Sequence, residues 1–219
     1  MAQRIRYYKT ERLGALSDGI FAIVLTLLVL ELRLPPANEE PGQVWQALVE
    51  NNHELVGWVV SFVVLARMWA IHHDTLASLK LVSSRTILVN FVFLATISLV
   101  PFAAKLVGTY EFTDLLAIVV FSAMLGITGL TLGWVIASAD RDARLQLPDY
   151  RSLRGRVRHH LLFVPVIAVA AIIASLLHPS LGLAILFIEA IAAIIVLVVS
   201  GPDEELGEPA LTVVTEDRG

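Results

Sequence analysis

The stretch that decides the fold is "RLGALSDGIFAIVLTLLVLEL", residues 12–32. It is long enough to cross a bilayer, because a hydrocarbon core of about 30 Å needs about 20 apolar residues in a helix. Yet Asp18 lies inside the helix that this run predicts. An acid at that depth is costly and normally faces protein or water. The stretch therefore predicts a membrane helix with a polar partner on one side.

The composition also indicates a membrane protein. The chain is 57% hydrophobic and 16% charged, with a mean hydropathy of +0.75, whereas soluble domains have about 45–50% apolar and about 25% charged residues. The net charge is −4, and no basic block of the kind that binds nucleic acid is present. The absence of cysteine excludes disulfides, thiolate metal sites and cysteine nucleophiles. No small-residue cleavage site follows the first apolar run, so we expect a retained span and not a signal peptide.

Six apolar segments predict six transmembrane helices, which makes the expected fold an all-α integral membrane protein. The predicted spans are about 13–34, 54–73, 86–107, 113–138, 158–178 and 181–200. Residues 1–200 would form one six-span domain, and residues 201–219 an acidic tail without a fixed fold. The segment "QVWQALVENN", residues 43–52, predicts a short helix in the first loop.

The placement of Lys and Arg predicts the orientation of the chain. Basic residues cluster before span one, between spans two and three, and between spans four and five. The opposite side carries only Arg33 and Lys105, next to an acidic first loop. The positive-inside rule then places both termini in the cytoplasm of a cell-membrane protein. The basic loop between spans four and five is expected to contact anionic membrane lipid.

Asp18 is expected to share a layer of polar side chains with the next two helices. Since helix one runs outward and helix two runs back, the start of one lies level with the end of two. That layer would hold Ser17 and Asp18 with Trp69, His72, His73 and, from helix three, Asn90. These side chains can hydrogen-bond a carboxylate and lock the three helices together. The alternative is that Asp18 merely reaches the interface, although its side chain is short.

A metal site at His72-His73-Asp74 is a weaker interpretation of the same residues. Adjacent helical residues point about 100° apart, so both imidazoles cannot easily bind one ion, and metal-binding pairs are usually spaced by three or four. We therefore expect no metal site and no cofactor.

One face of helix one carries large aliphatic side chains. At about 100° per residue, Leu27 lies about 40° and Leu30 about 20° from Ile23, whereas Asp18 lies about 140° away. We call Ile23, Leu27 and Leu30 the aliphatic stripe; Thr26 lies at its edge. Periodicity leaves two alternatives open, because such a face can meet lipid or can surround a symmetry axis as a hydrophobic constriction.

The motif Arg12-x-x-x-Leu16-Ser17-Asp18 resembles the R-x-x-x-F-S-D motif of the transmembrane protein 175 family, the endolysosomal potassium channels and their prokaryotic relatives. The flanking "FAIVLTLLVLEL" and the segment "SFVVLARMWAIHH", residues 61–73, are also similar to that family. Leu16 replaces the usual Phe of the motif. The resemblance is specific in residues 12–32 and covers the chain through its six-span layout.

The resemblance implies a weakly selective, potassium-permeable cation channel that other large alkali cations also pass. It implies that helix one lines the pore, with Ile23, Leu27 and Leu30 as the constriction and Thr26 at its edge. It implies that Arg12, Ser17 and Asp18 form an interhelical network with the Trp and His residues of helix two. Because this chain has one six-span repeat, the resemblance also implies a homotetramer.

Two other function classes stay open. A secondary transporter for a small cation or solute is the main alternative, although no inverted repeat and no pair of broken helices near the midplane is visible. A membrane enzyme using His72, His73 and Asp18 would need further acids or histidines in that layer, so we expect no enzyme. Glu189, in the middle of span six, has a functional role, forms a structural hydrogen bond or is a protonated acid that faces lipid, and we place it outside the pore.

Overall fold

The computed structural model describes residues 7–32, 52–110, 114–146 and 153–199. Within these ranges the chain forms six α-helices and one sheet of two short antiparallel strands. The elements are β1 (Tyr7–Lys9), α1 (Thr10–Leu30), α2 (Asn52–Ala77), β2 (Leu81–Ser83), α3 (Ser84–Tyr110), α4 (Leu115–Gln146), α5 (Leu153–Leu177) and α6 (Pro179–Val199).

The helices agree with an all-α, multi-pass membrane protein. Four of them, α1 to α4, are long and apolar enough to cross a bilayer. The described apolar parts of the last two helices, Phe163–Leu177 and Pro179–Ile195, are shorter. A helix of this kind satisfies its own backbone hydrogen bonds, which is what a lipid environment requires.

The first helix begins and ends earlier than the predicted span 13–34. It starts at Thr10, directly after β1, and its last turn tightens at Glu31. There the amide of Glu31 donates to the Leu28 carbonyl at 3.3 Å, and the amide of Leu32 donates to the Val29 carbonyl at 3.2 Å. Such three-residue bonds are a common way to satisfy the final carbonyls of a helix.

The other helices also extend past the predicted apolar spans. The clearest case is α4, which continues from the predicted limit at residue 138 to Gln146. Its added turns contain Asp140, Arg141 and Asp142. The helix therefore continues beyond the apolar segment that the sequence predicts as a span. The predicted helix at 43–52 lies outside the described residues except for Asn52, and the tail 201–219 lies outside them entirely.

Apolar side chains hold α1 against α2 and α3 at the centre of the fold. The buried face of α1 repeats every three or four residues, as an amphipathic helix requires. It consists of Leu13, Ser17, Phe21, Val24 and Leu28. The rings of Phe21, His72 and Phe93 cluster at its middle, with centroids 5.3–5.9 Å apart. The helices α4, α5 and α6 pack onto this group in sequence, and α6 returns to contact α2.

Glycine allows α4 and α5 to approach closely. A Cβ atom added at Gly126 would lie 2.9 Å from the Cβ atom of Ala168, and one at Gly129 would lie 3.0 Å from Cδ of Pro165. Both distances are shorter than normal carbon contacts, so only glycine fits unless the neighbours shift. Small residues at helix contacts are typical of membrane proteins.

A pair of opposite charges is buried where α6 meets α2. Arg67 is 5% exposed and Glu189 is 1% exposed, and the two charges are close enough to interact. The Arg67 guanidinium also lies over the Phe163 ring of α5, 5.4 Å from the ring centroid. Neither carboxylate oxygen of Glu189 has a hydrogen-bond partner among the described residues. Glu189 therefore depends on the longer-range interaction with Arg67 and not on a hydrogen bond within the described residues.

We predict that Glu189→Leu destabilises the protein by about 0.5–3 kcal/mol, because the buried Arg67 guanidinium loses a favourable charge interaction. Thermal unfolding of the detergent-purified protein, followed by tryptophan fluorescence, measures the change. The double variant Arg67→Met, Glu189→Leu is expected to recover most of the loss, since an apolar pair of similar volume needs no compensation.

Ile188→Leu is the matched control, because Ile188 precedes Glu189 on the same helix but is 64% exposed. It should change stability by less than about 0.5 kcal/mol. If the double variant is no more stable than Glu189→Leu alone, the buried pair does not account for the loss.

Candidate functional site

The two faces of α1 have opposite environments. While one face packs against α2 and α3, the other is open along the helix. In the aliphatic stripe, Ile23 is 59% exposed, Leu27 is 42% exposed and Leu30 is 73% exposed. Leu16 shares this face and is also exposed. A single chain thus presents a continuous line of large aliphatic side chains, and no other described residue of the chain covers them.

Thr26 lies at the edge of the stripe and is exposed. Its hydroxyl is 3.0 Å from the Ala22 carbonyl and 2.8 Å from the Ile23 carbonyl, so it can donate to the preceding turn of its own helix. The hydroxyl oxygen keeps lone pairs that point away from the backbone. Thr26 can therefore offer an acceptor on an otherwise apolar surface.

A chain of buried hydrogen bonds connects α1, α3 and α2. The Ser17 hydroxyl donates to the Leu13 carbonyl at 2.9 Å, so its oxygen is the acceptor for Nδ2 of Asn90 at 3.0 Å. With its amide nitrogen used in this way, Asn90 presents Oδ1 to Nε2 of His72 at 2.6 Å. This order makes His72 Nε2 the donor and fixes the tautomer of a neutral ring. Ser17, His72 and Asn90 are all fully buried.

Asp18 forms a second set of contacts beside this chain. The indole Nε1 of Trp69 donates to Asp18 Oδ1 at 2.9 Å, and Nδ1 of His73 lies 3.5 Å from the same oxygen. The Asp18 side chain is 39% exposed and that of His73 is 48% exposed. The Trp69 and His73 rings lie against each other with centroids 5.4 Å apart. Asp18 thus joins α1 to α2 and is only partly removed from solvent.

A groove of about 860 Å³ explains this exposure. It opens between the start of α1 and the end of α2, and Asp18 and His73 are part of its wall together with Lys9, Glu11 and Lys80. The Asp18 carboxylate is therefore partly open to this groove and partly held by α2.

The structure brings together six of the seven residues that the sequence placed in this network. Ser17, Asp18, Trp69, His72, His73 and Asn90 form what we call the polar layer. Arg12 is exposed and takes no part in these contacts within the described residues. At about 100° per residue it lies about 120° around the helix from Asp18, on the side of the aliphatic stripe. Its functional role stays a prediction.

Sequence reasoning missed a set of contacts at the same end of the molecule, in which Asp142 of α4 binds β2 and the start of α3. We call these contacts the Asp142 clamp. β1 pairs with β2 so that Tyr8 lies opposite Val82. The carboxylate of Asp142, on α4, accepts the backbone amide of Ser83 at 2.8 Å and the Thr86 hydroxyl at 2.7 Å. The signal for it was Ser83, which caps α3 by accepting the Thr86 amide at 3.3 Å. Strands of three residues are too short to leave a periodic pattern.

No group of three or more His, Cys, Asp or Glu side chains in the described part of the chain has a geometry that could hold a metal ion. The polar layer contains two imidazoles and one carboxylate, but His72 uses its Nε2 on Asn90 and only His73 contacts Asp18. What the layer can do chemically is to hold three helices in register by hydrogen bonds and by the contact between His73 and Asp18.

Comparison with known proteins places these residues in a family. The family model described as "Endosomal/lysosomal potassium channel TMEM175" matches residues 12–101. A potassium channel of Streptomyces collinus is 31% identical over 153 residues, which cover 66% of this chain and 74% of that protein. A potassium channel of Chamaesiphon minutus is 32% identical over 104 residues, about half of each chain at 47% and 51%.

More distant relatives agree. The endosomal/lysosomal proton channel TMEM175 of Gallus gallus is 32% identical over 111 residues, 48% of this chain but 22% of that longer protein. The fold resembles the crystal structure of a lysosomal potassium-selective channel TMEM175 homolog from Chamaesiphon minutus, with a TM-score of 0.73 and 23% identity over 85% of this chain and 96% of the other. These matches confirm the resemblance drawn from the motif. The chain belongs to the family of the endosomal/lysosomal potassium channel TMEM175, a family of ion channels and not of enzymes.

Proposed function

We propose that the protein is a potassium-permeable, weakly selective cation channel in which four copies of α1 surround a central pore. The observation that carries the proposal is the exposed aliphatic stripe, Ile23, Leu27 and Leu30, on the helix that bears the family motif. The bacterial relatives named as potassium channels support the choice of ion.

The packing of α1 supports the placement of the stripe at an axis. Because α2 and α3 cover one face of the helix, the opposite face must meet lipid or other copies of the chain. Lipid alone would accept any aliphatic pattern. In a homotetramer with cyclic symmetry, four identical faces would meet around one axis and their side chains would form stacked rings.

An aliphatic ring determines the kind of selectivity to expect. Alkyl side chains cannot replace the hydration shell of an ion, as rings of carbonyl oxygens do in other potassium channels. An ion passes only if it is partly dehydrated or if the ring widens. Larger alkali cations lose water more readily, so we expect potassium and caesium to pass better than sodium, with modest ratios. The Thr26 hydroxyl would provide a polar contact next to these rings.

The polar layer has a positioning role in this proposal. Its hydrogen bonds fix the rotation of α1 about its own axis, and that rotation decides which side chains face the pore. In this arrangement Asp18 is not a pore residue, since it lies on the packed side of the helix. Arg12, which the family motif includes, would act on the side of the stripe.

The proposal also includes the arrangement in the membrane. We propose that residues 1–200 form the six-span channel unit of a cell-membrane protein, with both termini in the cytoplasm. Residues 201–219 would form an acidic cytoplasmic tail. The basic clusters of the sequence support this orientation, and they would also bind anionic lipid.

We predict that Ile23→Asn changes potassium flux and the potassium-to-sodium ratio, because the amide places a carbonyl oxygen that can bind a cation where alkyl groups stood. Proteoliposome flux under potassium, caesium and sodium gradients measures both quantities. Ile173→Asn is the matched control, since Ile173 on α5 is also 59% exposed.

If Ile23→Asn leaves the passive wild-type flux unchanged, or if Ile173→Asn changes it equally, α1 does not form the constriction. Flux that saturates and requires a second, coupled ion would instead favour a transporter.

We predict that Asn90→Leu lowers stability by about 1–3 kcal/mol, because it leaves Nε2 of the fully buried His72 without its acceptor. Thermal unfolding in detergent measures this loss. Ser98→Ala is the control, because Ser98 lies on the same helix and its hydroxyl bonds only to the Leu94 carbonyl among the described residues. Equal losses in both variants would show that the polar layer does not hold α1.

A further inference from the structure

The end of α1 that lies away from the polar layer carries an ion pair to α3. The carboxylate oxygen Oε2 of Glu31 is 2.7 Å from Nζ of Lys105. The Glu31 side chain is 27% exposed, and Lys105 is 53% exposed. Glu31 directly follows Leu30, the most exposed residue of the aliphatic stripe. The pair therefore acts on the part of α1 that bears the last ring of the proposed constriction.

Glu31 occupies a position where an acid is unfavourable without a partner. It caps the C-terminal end of α1, where the last carbonyls give the helix a partial negative charge. Lys105 compensates both this charge and that of the carboxylate. The neighbouring space is small, since a cavity of about 10 Å³ lies between Glu31, Leu28, Trp58 and Lys105. The carboxylate thus lies against α2 and α3.

Both ends of α1 are consequently fastened to the same helix. At one end Ser17 accepts from Asn90, and at the other Glu31 pairs with Lys105; Asn90 and Lys105 both belong to α3. Between these points the buried face of α1 is apolar, with Phe21, Val24 and Leu28. Apolar packing has no direction, so the ion pair adds a directed contact at the end of α1 where this packed face stops.

We propose that the Glu31–Lys105 pair is a positioning contact that draws the end of α1 back toward α3 and so keeps the Leu30 ring wide; this rests on the proposed pore. The direction in which the pair draws α1 follows from the geometry, because α3 lies on the packed side of α1 and the aliphatic stripe lies on the opposite side. Loss of the pair lets the end of α1 lean toward the axis and narrows the constriction.

The test measures potassium flux of the full-length protein in proteoliposomes for Glu31→Gln and Lys105→Met. Each change is expected to lower flux by about two- to fivefold, the range of a partly exposed ion pair. The double variant should be no lower than either single one, because the two changes remove the same contact. Lys105→Arg keeps the charge and should retain most of the flux.

A simple effect of charge at the pore entrance gives a different pattern. In that case Glu31→Gln lowers cation flux and Lys105→Met raises it. Opposite directions, or a double variant whose loss equals the product of the single losses, would overturn the positioning role. Glu11→Gln is the matched control, since it removes the same charge from the opposite end of α1 and is expected to leave flux unchanged.

Failure of the pore itself has another signature. If α1 does not line a pore, Ile23→Asn leaves the flux of the wild type unchanged, whatever the Glu31 and Lys105 variants do. If the pore is correct and the positioning contact is wrong, Ile23→Asn alters flux and selectivity while Glu31→Gln and Lys105→Met stay at wild-type flux.

Discussion

The structure depends on the need to satisfy polar side chains that a membrane helix carries near one end. Asp18 cannot face lipid without a large cost. Within the described residues, Asp18 accepts from Trp69 of α2 and Ser17 accepts from Asn90 of α3. A helix held in this way has one permitted rotation. The polar layer therefore decides which residues of α1 are buried, and by exclusion it decides that the aliphatic stripe is not.

Much of this could be predicted from the sequence. Depth in the membrane and the antiparallel course of the first two helices were enough to group Ser17 and Asp18 with Trp69, His72 and His73. The exact partners could not be predicted, because a spacing of about 100° per residue gives the face of a side chain and not its contacts. His72 bonds to Asn90 and His73 lies at Asp18, so adjacent histidines belong to separate sets of contacts.

Sequence reasoning missed the pairing of short strands and the contacts between residues that are far apart in the chain. The strands β1 and β2 have three residues each, and their clamp on Asp142 joins positions far apart in the chain. Sequence reasoning used Lys105 only for the orientation of the chain and did not single out Glu31, whereas the structure places them 2.7 Å apart. It singled out Glu189, but only packing of α6 on α2 brings Glu189 near Arg67. No periodicity encodes contacts of this kind.

The helices after α3 lie outside residues 12–101, the region that the family model matches. Glu189 and Phe163 belong to those later helices, and both act on Arg67 of α2. Trp69, two residues after Arg67 on α2, donates a hydrogen bond to Asp18. The later helices thus pack on α2 close in sequence to the residue that bonds to Asp18. The tight approach of α4 and α5 at Gly126 and Gly129 gives them a fixed arrangement.

The central claim is that the aliphatic stripe of several chains meets at one axis, and cross-linking tests it most directly. The chain has no cysteine, so a single Ile23→Cys change provides a unique thiol without further substitutions. Oxidation in native membranes should join Ile23→Cys protomers into disulfide-linked dimers, because symmetry places identical residues near one another. Ile173→Cys, equally exposed on α5, should remain monomeric. If the two variants cross-link to the same extent, or if only Ile173→Cys does, α1 does not line a shared axis and the stripe faces lipid.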